Sequence, residues 1–132
     1  MIVIDTSALV AIVAAESDAE RVAAVLLRHA GDVELSAATL LEATIVLEAR
    51  YGADASTDLE LLIDRLGIAV VPVDADQAAI AAQAWRRFGK GRHPAALNFG
   101  DCFSYALATA RGAALLFKGR DFAQTDVRDA SG

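Results

Sequence analysis

The chain alternates between short, continuous apolar runs and longer segments in which apolar residues recur at helical spacing. Three such runs lie at residues 2–4, 69–73 and 113–117, and residues 33–35 form a fourth short segment in which Glu34 stands between two apolar residues. Runs of this kind are typical of strands that are buried on both faces of a parallel sheet. The pattern therefore predicts strands at these four places, with helical sequence between them.

Helical patterns fill the segments between the apolar runs. Helices are predicted from Ala19 onward after a capping-box pattern at residues 17–20, at 40–51, around 59–66, from the N-cap Asp74 to about Phe88, and at 101–111, with a loop at 89–100. The segment 40–51 is apolar almost all round, which predicts a largely buried helix. Strands that alternate with helices imply right-handed crossovers and a parallel sheet covered by helices. The sequence therefore predicts one α/β domain over residues 1–132.

Composition narrows the class of protein. A chain of 132 residues, 55% of them hydrophobic, is expected to fold around a substantial core. Its net charge of −6 gives no general attraction to a phosphate backbone, so any contact with nucleic acid must be local. The single Cys102 cannot form an internal disulfide, and no secretory signal or membrane-spanning stretch is expected. We expect a cytoplasmic protein without membrane association.

Three acidic residues interrupt apolar sequence near the ends of predicted elements. Asp5 follows the first strand, Glu42 lies in the predicted buried helix, and Asp101 opens the last helix. Each could serve only as a helix cap or at the positive end of a helix, and Glu42 completes a capping-box pattern that begins at Thr39. Structural and functional interpretations are therefore both available for each acid taken singly.

Taken together, the three acids favour a metal site. Glu42 has no cation at the neighbouring helical positions, and a carboxylate in apolar surroundings must be paired, protonated or bound to metal. In parallel α/β sheets, ligands bind beyond the carboxyl ends of the strands. If the three carboxylates meet there, a divalent cation is needed to keep them ionised, and oxygen ligands suit Mg²⁺ or Mn²⁺. Such a site suits phosphoryl-transfer chemistry.

Four stretches that cover nearly the whole chain follow the order and spacing of one known family. They are VIDTSALVAI at 3–12, SAATLLEA at 36–43, HPAALNFGDCFSYALA at 93–108 and LLFKGRDF at 115–122. With these stretches the chain resembles the PIN-domain ribonucleases and, among them, the VapC-type toxins of VapBC toxin–antitoxin pairs. The most specific part of the resemblance is the N-F-G-D-C-F-S-Y run in the third stretch.

The resemblance has implications for fold, chemistry and partners. It implies a PIN-like three-layer domain, in which a central parallel sheet is flanked by helices. It implies that Asp5, Glu42, Asp101 and a fourth acid, Asp121, form the metal site of an Mg²⁺-dependent endoribonuclease. It also implies inhibition by a cognate VapB-type antitoxin and assembly into a homodimer.

The fourth acid has two candidates. Asp121 directly precedes Phe122 in the last of the four stretches. Many relatives carry an additional acid where this chain has Arg120, and Asp126 is the alternative to Asp121.

Several other side chains could orient the acids or hold an RNA strand. Thr6 could donate a hydrogen bond to a metal ligand or a phosphate, and a helix-cap role is equally expected. Ser104 could face the same cleft, although a hydroxyl within a helix more often bonds to its own backbone. The cationic candidates for contact with the RNA backbone are Arg86, Arg87, Lys90, Arg92, His93 and Lys118. The alternative for segment 86–93 is a solvated helix end.

Two other kinds of function stay open. A receiver-like signalling domain would need a phosphoacceptor aspartate at the end of a central strand, and Asp74 follows a strand that comes late in the order. A catalytically inactive PIN-like binding module would keep the fold and lose the metal.

Overall fold

The structure, a computed structural model, describes residues 1–132. Its strands are β1 Ile2–Ile4, β2 Val33–Ser36, β3 Ala69–Val71 and β4 Ala114–Leu116. Its α-helices are α1 Thr6–Val13, α2 Ala19–Arg28, α3 Ala37–Tyr51, α4 Ala53–Leu66, α5 Ala75–Phe88 and α6 Phe99–Arg111. A 3-10 turn spans Phe122–Gln124.

The strands form one parallel sheet in the order β3-β2-β1-β4. In the register of this sheet, Ile2 of β1 pairs with Val33 of β2 on one side and with Ala114 of β4 on the other. The sheet joins β1 and β4, which lie near opposite ends of the chain, so Asp5 and Phe117 follow them at the same edge. The predicted α/β class, with a central parallel sheet flanked by helices, is confirmed.

Apolar residues form a core on each face of the sheet. Because successive residues of a strand face opposite sides, Ile2 and Ile4 join the core built with α1, α2, α3 and α4, and Val3 joins the core built with α5 and α6. All three side chains are buried, as the continuous apolar run predicted. The backbone that leads into Asp5 is therefore fixed from both faces.

Helix α3 differs from its prediction in both its start and its burial. It begins at Ala37, earlier than predicted, because the Ser36 hydroxyl accepts the backbone N–H of Ala38. Leu41 and Ile45 are 61% and 57% exposed, so the prediction of a largely buried helix is wrong. Apolar residues on every side of a helix remove the periodicity that would identify its buried face.

The other helix starts agree in part with the sequence patterns. α2 begins at Ala19 with Asp18 as its N-cap, and Asp18 makes no side-chain cap hydrogen bond, so the capping box predicted from Ser17 to Glu20 does not start this helix. Asp74 caps α5 as predicted. α6 begins at Phe99, inside the predicted loop, because Asn98 caps it. No helix is both long enough and apolar enough to cross a membrane.

Candidate functional site

Asp5 follows β1 directly and is only 2% exposed. Its Oδ2 atom accepts the backbone N–H of Ser7 at 3.0 Å and the Ser7 hydroxyl at 2.7 Å, so Asp5 caps α1. Its Oδ1 atom accepts the Ser104 hydroxyl at 2.5 Å. The capping interpretation is therefore correct, but Asp5 also receives a hydrogen bond from a helix far along the chain.

Glu42 lies in α3 at the same edge of the sheet. Its Oε1 atom accepts the Thr6 hydroxyl at 2.5 Å. Burial raises the pKa of the Glu42 carboxyl, the hydrogen bond from Thr6 lowers it, and the charge of Asp5 raises it. The N-cap of this helix is Ser36, so the capping-box interpretation with Thr39 is wrong.

Gly100 supplies a cradle for Glu42. A Cβ atom at position 100 would collide with the Glu42 carboxyl group, which packs directly against the Cα atom of the glycine. This places the first turn of α6 against the carboxylate of α3. The glycine permits this close approach, since a side chain at position 100 would displace the carboxyl group of Glu42.

Asp101 lies in the first turn of α6 and forms a capping box with Asn98. The Asp101 Oδ2 atom accepts the Asn98 N–H at 3.0 Å, and the Asp101 N–H donates to Asn98 Oδ1 at 2.9 Å. Burial raises the pKa of Asp101 to about 7, while the hydrogen bond from the Asn98 backbone acts in the opposite direction. The charges of three further acids raise this pKa as well: Asp5, Asp121 and Glu42.

The three acids share one polar cleft of about 280 Å³. The lining residues are Asp5, Thr6, Ser7, Val10, Glu16, Glu42, Val46, Arg50, Asn98, Asp101 and Lys118. The carboxylate oxygens do not yet surround one position, since no three acidic, histidine or cysteine side chains are close enough together to bind one metal ion. The donor set still fits a hard cation, since nearby acidic charges raise the pKa of Glu42 and of Asp101, and a positive charge would stabilise the ionised carboxylates. Binding would require side-chain rotation that brings these oxygens together.

The two candidates for the fourth acid lie in different surroundings. Asp121 is exposed just before the 3-10 turn, and its charge contributes to the raised pKa of Asp101. Asp126 instead accepts the Tyr105 hydroxyl at 2.5 Å and forms an ion pair with Arg87 at 3.4 Å. Of the two candidates, Asp121 is therefore the one whose charge raises the pKa of a carboxyl group in the cleft.

Lys118 is the one predicted substrate-binding cation that lines the cleft. Its backbone N–H donates to the Ser7 hydroxyl at 3.0 Å, and its Nζ atom lies 3.0 Å from the Glu16 carboxylate. The positive charge of Lys118 is thus partly neutralised by Glu16.

The cations of segment 86–93 do not line the acidic cleft. Arg87 stacks on Phe88 in addition to its ion pair, and Arg92 lies over the Trp85 ring with 4.2 Å between the guanidinium carbon and the ring centroid. Arg86 is exposed on α5. Lys90 lies beside an apolar pocket that Asn98 also lines, and the His93 ring accepts the Ala95 N–H.

Several residues of the site were not identified from the sequence, among them Glu16, Arg50, Asn98 and Gly100. Asn98 could have been found, because Asn three residues before an acid is a helix-start pattern. Arg50 shares a helix face with Glu42, since positions 42, 46 and 50 are each four residues apart. Glu16 and Gly100 carry no local signal, because each matters through a residue distant in sequence.

Comparisons with known proteins agree with this fold. A model of the PIN domain family matches residues 2–128. The protein named Ribonuclease VapC from Mycolicibacterium smegmatis is 53% identical over 127 residues, covering 95% of this chain and 96% of the relative. Ribonuclease VapC30 from Mycobacterium tuberculosis is 51% identical over 126 residues, covering 95% of each chain.

Two solved structures share the fold. VapC20 from Mycobacterium tuberculosis, described as a Sarcin-Ricin loop cleaving toxin, aligns with a TM-score of 0.80 and 20% identity over 96% of each chain. FitAcB from Neisseria gonorrhoeae aligns with a TM-score of 0.69 and 24% identity over 98% of this chain and 96% of that chain.

The chain therefore belongs to the PIN-domain family. Within this family it is of the VapC type, the group whose curated relatives carry the name ribonuclease. This assignment replaces the receiver-like signalling domain considered from the sequence.

Proposed function

We propose that this chain is an Mg²⁺-dependent endoribonuclease that acts in the cytoplasm as the toxin of a type II toxin–antitoxin pair. The observation that carries the proposal is the convergence of Asp5, Glu42 and Asp101 from three separate elements onto one cleft. The names of the VapC relatives support an RNA substrate. The toxin role is supported by the description of VapC20, whose fold the chain shares.

In this proposal the metal is held by Asp5, Glu42, Asp101 and Asp121, and Mn²⁺ is expected to replace Mg²⁺. When bound, the metal supplies an activated water and offsets the charge that develops on the phosphodiester. The hydroxyls of Ser7 and Thr6 orient Asp5 and Glu42, which reduces the rearrangement needed for binding.

The cations of the chain hold the RNA strand in two zones. Lys118 and Arg50 line the cleft itself and are placed to contact the phosphates nearest the acids. Arg86, Arg87, Lys90 and Arg92 lie outside the cleft, so in this proposal they attract the more distant strand. Local cations are needed because the net charge of −6 repels RNA.

A VapB-type antitoxin is proposed as the protein partner. The chain is of the VapC type, and this supports such a partner, because a nuclease that damages its own cell needs an inhibitor. We propose that the antitoxin covers the acidic cleft, so that the complex does not cut RNA and the isolated protein does. Cleavage by the isolated chain, abolished on adding the antitoxin, is the expected result.

A homodimer is proposed through an apolar face next to the cleft. This face consists of Leu41, Ile45 and Phe99, of which Phe99 is 81% exposed, and it borders a groove that Glu42 also lines. The face carries no charge of its own, which suits a second copy better than RNA. In sedimentation velocity, the wild type should be a dimer and Phe99→Asp a monomer. A wild-type monomer at high concentration would contradict this.

The nuclease proposal is tested by RNA cleavage with Mg²⁺, with EDTA, and with Asp5→Asn. We expect cleavage with Mg²⁺ only, and a decrease of at least about 100-fold for the variant, since loss of a ligand should exceed the roughly 10–100-fold cost of losing an outer contact. Undiminished cleavage in EDTA would contradict metal catalysis. The inactive binding module is distinguished by a wild type that binds RNA and cuts none.

A further inference from the structure

A buried chain of hydrogen bonds leads from α3 through α6 to Asp5. The Ser104 hydroxyl donates to Asp5 Oδ1 at 2.5 Å, and the Thr39 and Ser104 hydroxyl oxygens are 3.1 Å apart. Thr39 is 1% exposed and Ser104 is 0% exposed, so no bulk water competes for these bonds. The sequence favoured a bond from Ser104 to its own backbone, and the structure shows a bond to a site acid instead.

The direction of this chain follows from proton counting. A serine hydroxyl has one proton, and Ser104 donates it to the carboxylate. The bond between the two hydroxyls must then run from Thr39 to Ser104. Both hydroxyls therefore point toward Asp5, and in a buried chain of this kind each bond strengthens the next.

The three residues join the three elements that carry the acids. Asp5 directly follows β1, Thr39 lies one turn before Glu42 in α3, and Ser104 lies one turn after Asp101 in α6. Residues three apart in a helix share a face. Fixing Thr39 and Ser104 therefore also fixes the backbone positions from which the side chains of Glu42 and Asp101 extend. The two hydrogen bonds therefore connect α3, α6 and the residue after β1 where these elements meet.

We propose that Thr39 and Ser104 are positioning residues that set the relative placement of Asp5, Glu42 and Asp101 for metal binding. They act through Asp5 and through the helices that carry the other two acids, without contacting RNA. This inference rests on the metal site of the proposed function. It goes beyond that function by assigning the spacing of the acids to two hydroxyls outside the cleft lining.

The chain offers a matched control for a purely structural role. The Ser56 hydroxyl donates to Glu48 Oε1 at 2.7 Å, which joins α4 to α3 by the same type of bond outside the acidic cleft. Removing Ser56 and removing Ser104 each delete one hydroxyl bonded to a carboxylate. Only the second deletion should affect metal binding.

The test is isothermal titration calorimetry with Mn²⁺ on the purified full chain, with thermal unfolding of the metal-free protein measured in parallel. Ser104→Ala should weaken Mn²⁺ binding by about 10-fold or more, within the roughly 10–100-fold range found for outer-shell partners of metal ligands. Thr39→Val should weaken it by a smaller factor, because it acts one bond further away. Thr39→Ser, which keeps the hydroxyl, and Ser56→Ala should bind Mn²⁺ like the wild type.

The outcomes separate this inference from the proposed function. If Ser104→Ala and Thr39→Val melt earlier but bind Mn²⁺ with wild-type affinity, the two hydroxyls are only structural and the inference is wrong. If the wild type itself binds no Mn²⁺, the proposed metal site fails, and the inference fails with it. Should Ser104→Ala not fold, the contrast between Thr39→Val and Thr39→Ser decides.

Discussion

The acidic and the cationic residues of this chain are arranged in opposite ways. Asp5, Glu42 and Asp101 are far apart in the sequence and share one cleft. The cations of segment 86–93 are close in the sequence, yet none of them lines that cleft, and Arg87 and Arg92 contact groups elsewhere. The difference teaches that position relative to the sheet edge decides which residues form a site, because parallel strands bring distant parts of the chain to one edge.

The largest expected effect comes from comparing two glutamates of the same helix, one inside the acidic cleft and one outside it. Glu42→Gln should reduce Mg²⁺-dependent RNA cleavage by at least about 100-fold, because the change removes a carboxylate proposed to hold the metal. Glu48→Gln is the matched control, since Glu48 lies in the same helix and bonds to Ser56 outside the cleft. Equal activity of the two variants in a cleavage assay would show that the position in the cleft does not matter.

Gly100→Ala tests whether the close approach of α6 to Glu42 matters. The new methyl group collides with the flexible end of the Glu42 side chain, so the carboxyl should move and cleavage should fall by about 10-fold, the lower end of the range for disturbed outer contacts. Stability should be retained, because alanine is favoured over glycine in a helix by roughly 0.5–1 kcal/mol. Wild-type cleavage by a stable Gly100→Ala protein would contradict the cradle.

The cations provide the sharpest contrast between cleft and surface. Lys118→Ala should lower the rate of cleavage at saturating RNA, because Lys118 lines the cleft. Arg92→Ala should leave that rate unchanged and weaken RNA binding slightly, with a salt slope reduced by about 0.7 if one phosphate contact is lost. Single-turnover kinetics and binding at several salt concentrations measure both quantities. If Arg92→Ala lowered the cleavage rate and Lys118→Ala did not, the reacting phosphate would lie near Arg92 and not in the acidic cleft.

The smallest expected effect concerns stability and pH. The pKa of Asp101 is about 7 in the folded protein against an ordinary 3.8, so between these values the folded state binds a proton that the unfolded state has released. The metal-free protein should therefore lose stability as pH rises from about 4 to about 7. Asp101→Asn should reduce this slope, and the raised pKa of Glu42 should preserve part of it.

Urea unfolding in EDTA at about pH 5 and about pH 7.5 measures this effect. Mg²⁺ should stabilise the wild type more at the higher pH, because the metal competes with protons for the same oxygens. An identical pH dependence for the wild type and Asp101→Asn would show that Asp101 does not carry the extra proton.

Much of the fold was predictable because local pattern and burial agree. The apolar run that ends at Asp5 identified both the central strand and the acid at its end, and Asp101 was identified by its position at a helix start. The exposed side of α3 was not predictable, because Leu41 and Ile45 look like core residues in the sequence. Their exposure depends on which neighbours the helix has after folding.

The parts of the site that the sequence did not predict depend on contacts over long distances. Gly100 matters only because Glu42 packs on it, and Glu16 only because Lys118 lies beside it. Segment 86–93 was a strong local signal, but charge density along the chain does not fix where the side chains point. Asp5, which follows an apolar strand, lines the acidic cleft, whereas none of these cations does.

The most direct test of the central claim is a crystal structure of the chain grown with Mn²⁺, with the metal located by its anomalous scattering. The account predicts an anomalous peak in the acidic cleft, with carboxylate oxygens of Asp5, Glu42 and Asp101 rotated to about 2.1–2.2 Å from it, close to the distances of hard divalent ions. An anomalous peak elsewhere, or an empty cleft at saturating Mn²⁺, would contradict it.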